Sequence, residues 1–203
     1  FSYHLTALCP GDGNQIEGAP LQTPEGGGIH FRNGEPENSE RFSTAAVIAP
    51  GNAPRIKAAW MKGGWFDGIS ALWREISSGN FRENDGRAAI GHHGRAGGSL
   101  LIEKTVEPGA SIRIPLVIAW HSPNSSQTYG MAKSAEVSCG EGCDCGPGEP
   151  GGPLWQPFYA GKWKDASAVA QEAASRYQSL KDRTAAFAEA LHASTLPPEA
   201  IDA

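Results

Sequence analysis

The stretch from Ser99 to Asn124 constrains the fold more than any other part of this 203-residue chain. Apolar and polar side chains alternate over two runs, residues 100–107 and 112–120. A period of two is typical of β-strands, because successive side chains point to opposite faces. Between the runs, residues 107–110 (EPGA) predict a tight turn, since proline presets φ and glycine accepts a positive φ. The pattern therefore predicts a β-hairpin.

The second run of this hairpin predicts a strand with one buried face, formed by Ile112, Ile114, Leu116, Ile118 and Trp120. We expect the opposite face to be at least half covered, because its residues 117 and 119 are apolar too. Pro115 has no N–H to donate, which suits an edge strand or a bulge. A sheet with such a face needs a second layer to bury it, so we expect an antiparallel β-sandwich.

The charge balance is mildly acidic, with 22 Asp and Glu against 17 Lys and Arg. There is no basic run, so we expect neither nucleic acid nor an anionic membrane surface as a partner. No apolar run approaches the roughly 18–20 residues of a transmembrane segment. The 26 Gly and 15 Pro concentrate in residues 10–36 and 139–157, which is typical of a loop-rich β protein.

The other elements are shorter. Residues 1–9, 42–49 and 55–60 predict strands, whereas the polar, glycine-rich residues 14–28 predict a loop. In residues 60–81, apolar side chains recur at spacings of three and four. That period predicts a short amphipathic helix ending near Gly79. The fold class we expect is mainly β, with a few helices.

Three tryptophans, Trp60, Trp65 and Trp73, cluster around this helix. Indole faces match the apolar faces of sugar rings, so these residues are candidates for substrate binding. The alternative is that they pack the helix against a sheet.

Cys139, Cys143 and Cys145 form a C-x3-C-x-C cluster that could bind a soft cation. A tetrahedral site needs a fourth ligand, for which Cys9 or a histidine is available. A disulfide or free thiols are the alternatives, and the four cysteines do not fix a redox compartment. The adjacent residues 92 and 93, both histidine, are weak metal candidates on a predicted loop.

A long helix is predicted from Asp165, an N-cap residue, to about Ser194, with a kink near residues 181–184. Glu172 and Arg176 form an i,i+4 pair on its polar side. We interpret residues 1–160 as a β-sandwich and 161–203 as a linker helix. The strand-like start and helix-like end favour a piece of a longer polypeptide, whose sandwich is incomplete at its N-terminus.

Four stretches in order resemble the N-terminal region of glycoside hydrolase family 116, the β-glucosidases related to non-lysosomal glucosylceramidase. They are the turn at 108–110 (PGA), the W-x-x-P-N-like stretch at 120–124, the Y-x-x-x-W-x-D-A-like stretch at 159–166, and STLP at 194–197. Ala110 departs from the acidic residue usual in the family. The resemblance covers about residues 60–203, and the cysteine cluster has no counterpart in it.

The resemblance implies a β-sandwich that precedes an (α/α)6 catalytic domain in the same polypeptide. It implies a retaining β-glucosidase that acts on a β-glucoside or a glucosylceramide-type substrate without a cofactor. Retention needs two carboxyl groups about 5 Å apart, and in this family both belong to the barrel. We therefore assign no catalytic residue here.

Several carboxylates invite a catalytic role, and each has a structural explanation as a solvated face, a strand edge or a helix cap: Asp67, Glu75, Glu103 and Asp165. The expected role of the chain is to support the barrel and form one wall of the glycan cleft. The alternatives are a free-standing carbohydrate-binding sandwich and a small metal-binding module built on the cysteines.

Overall fold

A computed structural model describes residues 2–3, 16–60, 68–86, 97–126 and 154–201. Its strands are β1 (Ser2–Tyr3), β2 (Glu17–Thr23), β3 (Gly26–Arg32), β4 (Thr44–Pro50), β5 (Arg55–Lys57), β6 (Gly98–Leu101) and β7 (Val117–His121). Its helices are α1 (Gly68–Ser77), α2 (Ala166–Ser175), α3 (Tyr177–His192) and α4 (Pro198–Ile201), with a 3₁₀ turn over Phe158–Gly161.

The larger sheet has four antiparallel strands in the order β2-β3-β4-β7. Strand β4 is apolar almost throughout, and its residues are buried from Thr44 to Ala49. That pattern is expected of a central strand covered on both faces. Its neighbours pair with it over their full lengths, so the sheet is organised around β4.

The smaller sheet has three antiparallel strands in the order β1-β6-β5. Its residues Ile56 and Leu100 share one buried cluster with Ile29, Phe31 and Val47 of the larger sheet. Side chains from two facing sheets thus form a common core, as in a sandwich. The predicted mainly β, antiparallel class is confirmed.

The predicted hairpin over residues 100–120 is wrong, although its turn is correct. Ala110 donates a backbone hydrogen bond to Glu107 at 2.9 Å, and Gly109 has φ +80°. The two strands nevertheless belong to different sheets, because β6 pairs with β5 and β7 pairs with β4. An alternating pattern specifies which side chains share a face of the sheet, but it does not specify which strand pairs with which.

The predicted buried face of β7 is also reversed. Ala119 and His121 are buried, whereas Ile118 is 36% and Trp120 is 60% exposed. The reason is that α2 packs over Ala119, and the ring of Tyr159 contacts that of His121 with centroids 5.5 Å apart. The remaining apolar residues of the predicted face, Ile112 and Ile114, are exposed and lie outside the strands.

Two more segments differ from expectation. Residues 14–28 were expected to form a loop, yet β2 and β3 form a regular hairpin there. The close approach of β3 to β4 depends on glycine, since a Cβ at Gly28 would lie 2.1 Å from the carbonyl oxygen of Val47. Of the strand predicted over residues 1–9, the structure describes Ser2–Tyr3 as β1. The predicted strands at 42–49 and 55–60 correspond to β4 and β5.

The predicted amphipathic helix is confirmed as α1. Its Leu72 is buried against Trp60 and Phe81. The turn after the helix includes Gly79 at φ +71°, a conformation that glycine accepts readily. The amide of Asn80 donates to the carbonyl of Glu75 at 2.9 Å, which helps to close the helix end.

The predicted long helix is divided, and its break lies at Arg176 instead of residues 181–184. Arg176 has φ −106° and ψ 10°, outside helical geometry. The first part, α2, packs flat on β4 and β7 through alanines, whose small side chains allow close approach. The second part, α3, has no buried residue. Within the described residues, no helix is both long and apolar enough to cross a bilayer.

Candidate functional site

A cavity of about 430 Å³ lies on the outer face of the four-stranded sheet, beside the N-terminus of α2. Most of its lining is polar, which distinguishes it from the alanine-rich contact along the rest of α2. The lining side chains are His30, Arg32, Glu37, Phe42, Thr44, His121, Pro123, Gln156, Ala160, Lys164 and Asp165.

The register of the sheet brings the polar floor of this cavity together. Thr44 of β4 is paired with Arg32 on one side and with His121 on the other. Residues directly opposite in an antiparallel pair share a face. His30 lies two residues before Arg32 and therefore belongs to the same face. The three strands thus place four polar side chains on one face: three uncharged groups form the floor, and the exposed guanidinium of Arg32 reaches the mouth.

Asp165 fixes the helix above this floor. Its Oδ1 accepts hydrogen bonds from the Ala168 amide at 2.9 Å and from the Ser167 hydroxyl at 2.5 Å. The predicted N-cap is therefore confirmed. The next amide, of Ala166, donates to Oγ1 of Thr44 at 2.9 Å, so helix and sheet are joined by a buried hydrogen bond.

The pKa of Asp165 is lowered. Burial alone would raise it, but the hydrogen bonds from Ser167 and Ala168 and the nearby charges of His30 and Lys164 favour the carboxylate. This residue is thus an ionised cap at neutral pH, and a general acid would require the opposite shift.

Both histidines of the cavity have lowered pKa values, and burial is the main cause in each. The Asp165 carboxylate opposes the shift at both rings. For His30, the charges of Arg32 and Lys164 lower the pKa further. Since the ordinary value is 6.5, both imidazoles are predominantly neutral at pH 7.

Three ring nitrogens at this site lack a hydrogen bond of normal geometry to any described residue. They are Nε2 of His30 and both Nδ1 and Nε2 of His121. The backbone of Trp163 lies close enough to favour the charged form of His121, although neither nitrogen meets hydrogen-bond geometry. Since His121 is only 1% exposed, its ring nitrogens are enclosed without a well-formed hydrogen bond to a described residue.

The charged side chains lie toward the mouth of the cavity and offset one another. Arg32 pairs with Glu37 at 3.1 Å, and both side chains are largely exposed. Lys164 is 82% exposed and its Nζ lies 3.9 Å from Asp165. The mouth therefore carries two positive and two negative groups, while the floor is neutral.

The two stretches 120–124 and 159–166 meet at this site. The Tyr159 hydroxyl donates to the carbonyl of Ser122 at 2.6 Å. Asn124 donates to the carbonyls of Glu37 and Ser39 at 2.8 and 2.9 Å, which ties the β3–β4 connection to the end of β7. Both stretches therefore build the cavity wall in this structure.

The carboxylates considered as catalytic candidates have different environments in the structure. Glu75 forms an ion pair with Lys57 at 2.6 Å, so it is more than a solvated helix side chain. Burial alone would raise the pKa of Glu75, but hydrogen bonds from Lys57 and from the backbone of Arg82 lower it. Glu103 is exposed, Asp165 caps a helix, and Asp67 lies outside the described residues.

The tryptophan candidates have different environments. Trp60 is 8% exposed, and its Nε1 donates to Ser99 Oγ at 2.8 Å. Trp73 is 68% exposed on α1. Trp65 lies outside the described residues. Burial of Trp60 leaves little of its ring available to a sugar, and a role in binding stays a prediction for Trp73 and Trp65.

The metal candidates cannot be placed. Cys139, Cys143, Cys145, Cys9 and the two histidines at 92–93 all lie outside the described residues. In the remainder, the structure contains no group of three or more His, Cys, Asp or Glu arranged to hold a metal. The two cavity histidines do not constitute such a group.

The described residues form two antiparallel sheets, with a helix packed across the larger one. A family model described as "beta-glucosidase 2, glycosyl-hydrolase family 116 N-term" matches residues 14–180. The chain therefore belongs to this glycoside hydrolase family, as part of its N-terminal domain. The match begins earlier than the resemblance seen at residues 60–203 and ends within α3. The comparison with curated proteins gives no match.

The sequence pattern does not identify His30, Thr44 and His121 as site residues. The stretch 120–124 was singled out for its resemblance, yet nothing in the spacing connects His121 to His30, which lies just beyond the glycine-rich stretch expected to be a loop. The available signal was polar residues inside otherwise apolar runs: Thr44 opens an apolar strand and His121 closes one.

Proposed function

We propose that this chain is the non-catalytic N-terminal region of a retaining β-glucosidase or glucosylceramidase-like hydrolase. It supports a helical (α/α)6 barrel in the same polypeptide and forms one wall of the glycan cleft. Residues 161–203 connect the two domains, and the barrel supplies the nucleophile and the acid/base. The observation that carries this proposal is the family match over residues 14–180.

The chemistry of the described carboxylates supports a non-catalytic role. Retaining hydrolysis needs one carboxylate free to attack and one carboxyl group protonated by a raised pKa. In the cavity, Glu37 is paired with Arg32 and Asp165 is held as a helix cap. The pKa of Asp165 is lowered, opposite to what an acid catalyst needs.

The exposed face of α3 supports a connecting role for the C-terminal segment. Leu180 and Phe187 are 39% and 69% exposed, and no residue of the helix is buried. Apolar side chains on such a helix favour contact with a further structural element. In the proposal that element is the barrel.

Activity measurements test the proposal. The 203-residue chain should release no product from an aryl β-glucoside, and a longer polypeptide that continues through the helical domain should do so with retention of anomeric configuration. NMR of the first-formed anomer distinguishes retention from inversion. Turnover by the 203-residue chain alone, or a folded longer polypeptide inert toward all β-glycosides, would contradict it.

A second candidate function is glycan binding on the surface of α1. It is favoured by Trp73, which is 68% exposed beside the exposed Ile69 and Ile76. Indole fluorescence during titration with soluble glucan tests it, with Trp73→Ala as the site variant and Trp155→Ala as the control. A response that survives Trp73→Ala, or no response to any glycan, would remove this candidate.

A further inference from the structure

The cavity beside α2 contains buried polar atoms that neither the packing nor the proposed function uses. His121 lines this cavity and is 99% buried, and neither of its ring nitrogens meets hydrogen-bond geometry with a described residue, although the backbone of Trp163 lies nearby. The Nε2 atom of His30 is also buried without a described hydrogen-bond partner. His30 lies on β3, which β4 separates from β7. Since buried polar groups in native proteins are nearly always satisfied, these atoms indicate a missing occupant.

From this geometry we propose that the cavity binds a small neutral molecule with several hydroxyl groups, of the size of a monosaccharide. Its volume of about 430 Å³ falls within the roughly 300–1,000 Å³ of small-molecule sites. A hydroxyl group both donates and accepts, so it can satisfy either nitrogen of a neutral imidazole.

The charges around the cavity select a neutral ligand. At the mouth, Arg32 is offset by Glu37, and Lys164 lies close to Asp165. An anion would meet the two carboxylates, and a cation would meet the guanidinium and the ammonium. The floor adds no charge at pH 7, because burial lowers the pKa of both histidines.

Two further groups can take part in recognition. The Thr44 hydroxyl accepts a hydrogen bond from Ala166, and it can still donate one to a ligand. Gln156 also lines the cavity, and its amide nitrogen lies 3.4 Å from Oδ1 of Asn124. The amide oxygen of Gln156 can accept from a ligand hydroxyl. The set therefore offers donors and acceptors from several directions, as binding of a polyol requires.

The experiment is a titration of the ¹⁵N-labelled 203-residue chain, followed through the imidazole nitrogen signals. D-Glucose and cellobiose are the neutral probes, and inorganic phosphate is the anionic probe. We expect glucose to shift the ring nitrogens of His30 and His121 saturably while those of the exposed His192 stay unchanged. Cellobiose distinguishes two kinds of site. A site for a free monosaccharide should exclude cellobiose, whereas a site for the end of a glycan should bind it.

Variants identify the site. His121→Phe keeps a ring but removes both nitrogens, so glucose binding should weaken at least about tenfold. His30→Gln, at a half-buried position, gives a second test if His121→Phe does not fold. His192→Gln is the matched control and should bind as the parent chain does.

Three results would overturn the proposal. The first is the absence of a saturable shift with either sugar, which would leave water as the occupant. The second is a response to phosphate at lower concentration than to glucose. The third is unchanged glucose binding in folded His121→Phe and His30→Gln. The titration uses this chain alone, so its failure would leave the proposed supporting role unaffected.

Discussion

The rings of His121 and Tyr159 meet edge to face, with centroids 5.5 Å apart and an angle of 74° between their planes. His121 ends the last strand of the four-stranded sheet, and Tyr159 belongs to the 3₁₀ turn that precedes α2. The contact therefore fixes the approach of the helical segment to the sheet. Separated by an undescribed stretch of sequence, the two residues are neighbours in the structure.

The hydroxyl of Tyr159 should contribute measurably to stability. Tyr159→Phe removes the 2.6 Å hydrogen bond to Ser122 and keeps the ring against His121. We expect a loss of about 0.5–1.5 kcal/mol in the free energy of unfolding, measured by urea denaturation. Tyr159→Ala should cost more, and Tyr177→Phe in the exposed α3 should cost less. Equal effects of the two Tyr→Phe changes would contradict this role.

The contact between α2 and the sheet should not accept a larger residue. Ala170 is fully buried in the cluster that contains Ala46 and Ala119. Ala170→Leu should lower the free energy of unfolding by about 1–3 kcal/mol, because the larger side chain forces α2 and the sheet apart. Ala185→Leu makes the same chemical change on exposed α3 and should stay within about 0.5 kcal/mol. Thermal unfolding of both variants measures the difference, and a neutral Ala170→Leu would show that α2 does not pack as described.

The neutral histidines predict a loss of stability in mild acid. A lowered pKa in the folded state means that the unfolded chain binds more protons once the pH falls below 6.5, so stability decreases from there toward the folded-state pKa values. Glu75 and Asp165, whose pKa values are also lowered, add a separate loss below their ordinary values of 4.5 and 3.8.

Urea denaturation across this pH range measures the effect. The slope from one such histidine is at most about 1.4 kcal/mol per pH unit. His121→Gln should flatten the profile below pH 6.5. A parent chain equally stable between pH 6.5 and 5 would show that both rings accept protons freely in the folded state.

The ion pair between Lys57 and Glu75 should matter more than a surface pair. The Lys57 side chain is 8% exposed, its Nζ lies 2.6 Å from the Glu75 carboxylate, and it also faces the Phe81 ring. Glu75→Ala leaves the buried Lys57 ammonium without its carboxylate partner, so it should lower the free energy of unfolding by about 3–5 kcal/mol. Adding Lys57→Met should recover most of that loss, since an apolar side chain of similar length fills the space.

The exposed pair of Glu172 and Arg176, at 3.1 Å, supplies the control for this prediction. Glu172→Ala should cost about 0.3–0.5 kcal/mol, because solvent screens the pair. Equal losses from Glu75→Ala and Glu172→Ala would indicate that Lys57 reaches water in solution.

Features set by neighbouring residues were predictable from the sequence. The turn at residues 107–110, the helix ending near Gly79, the Asp165 cap and the pair of Glu172 and Arg176 all depend on contacts within a few positions. Their physical causes lie in φ preferences, orphan helix amides and the i,i+4 spacing. The antiparallel sandwich class followed from alternation alone.

Features set by distant partners were not predictable. Apolar and polar side chains alternate in the sequence around both β6 and β7. Only tertiary packing decides that β6 pairs with β5, which contains Ile56, and that β7 pairs with β4, which contains Val47. The break at Arg176 ends the segment that packs on the sheet, whereas the sequence period continues through it. The cavity could not be anticipated because its histidines lie on strands whose pairing was unknown.

The most direct test of the central claim replaces both acidic residues that line the cavity, Glu37→Gln with Asp165→Asn, in the longer polypeptide that carries the proposed barrel. Hydrolysis of an aryl β-glucoside is then measured per folded molecule. If this domain supports the barrel without taking part in the chemistry, kcat should stay within about threefold of the parent value. A fall in kcat of about 10³-fold or more, with the variant still folded, would place a catalytic carboxylate in this chain and contradict the account.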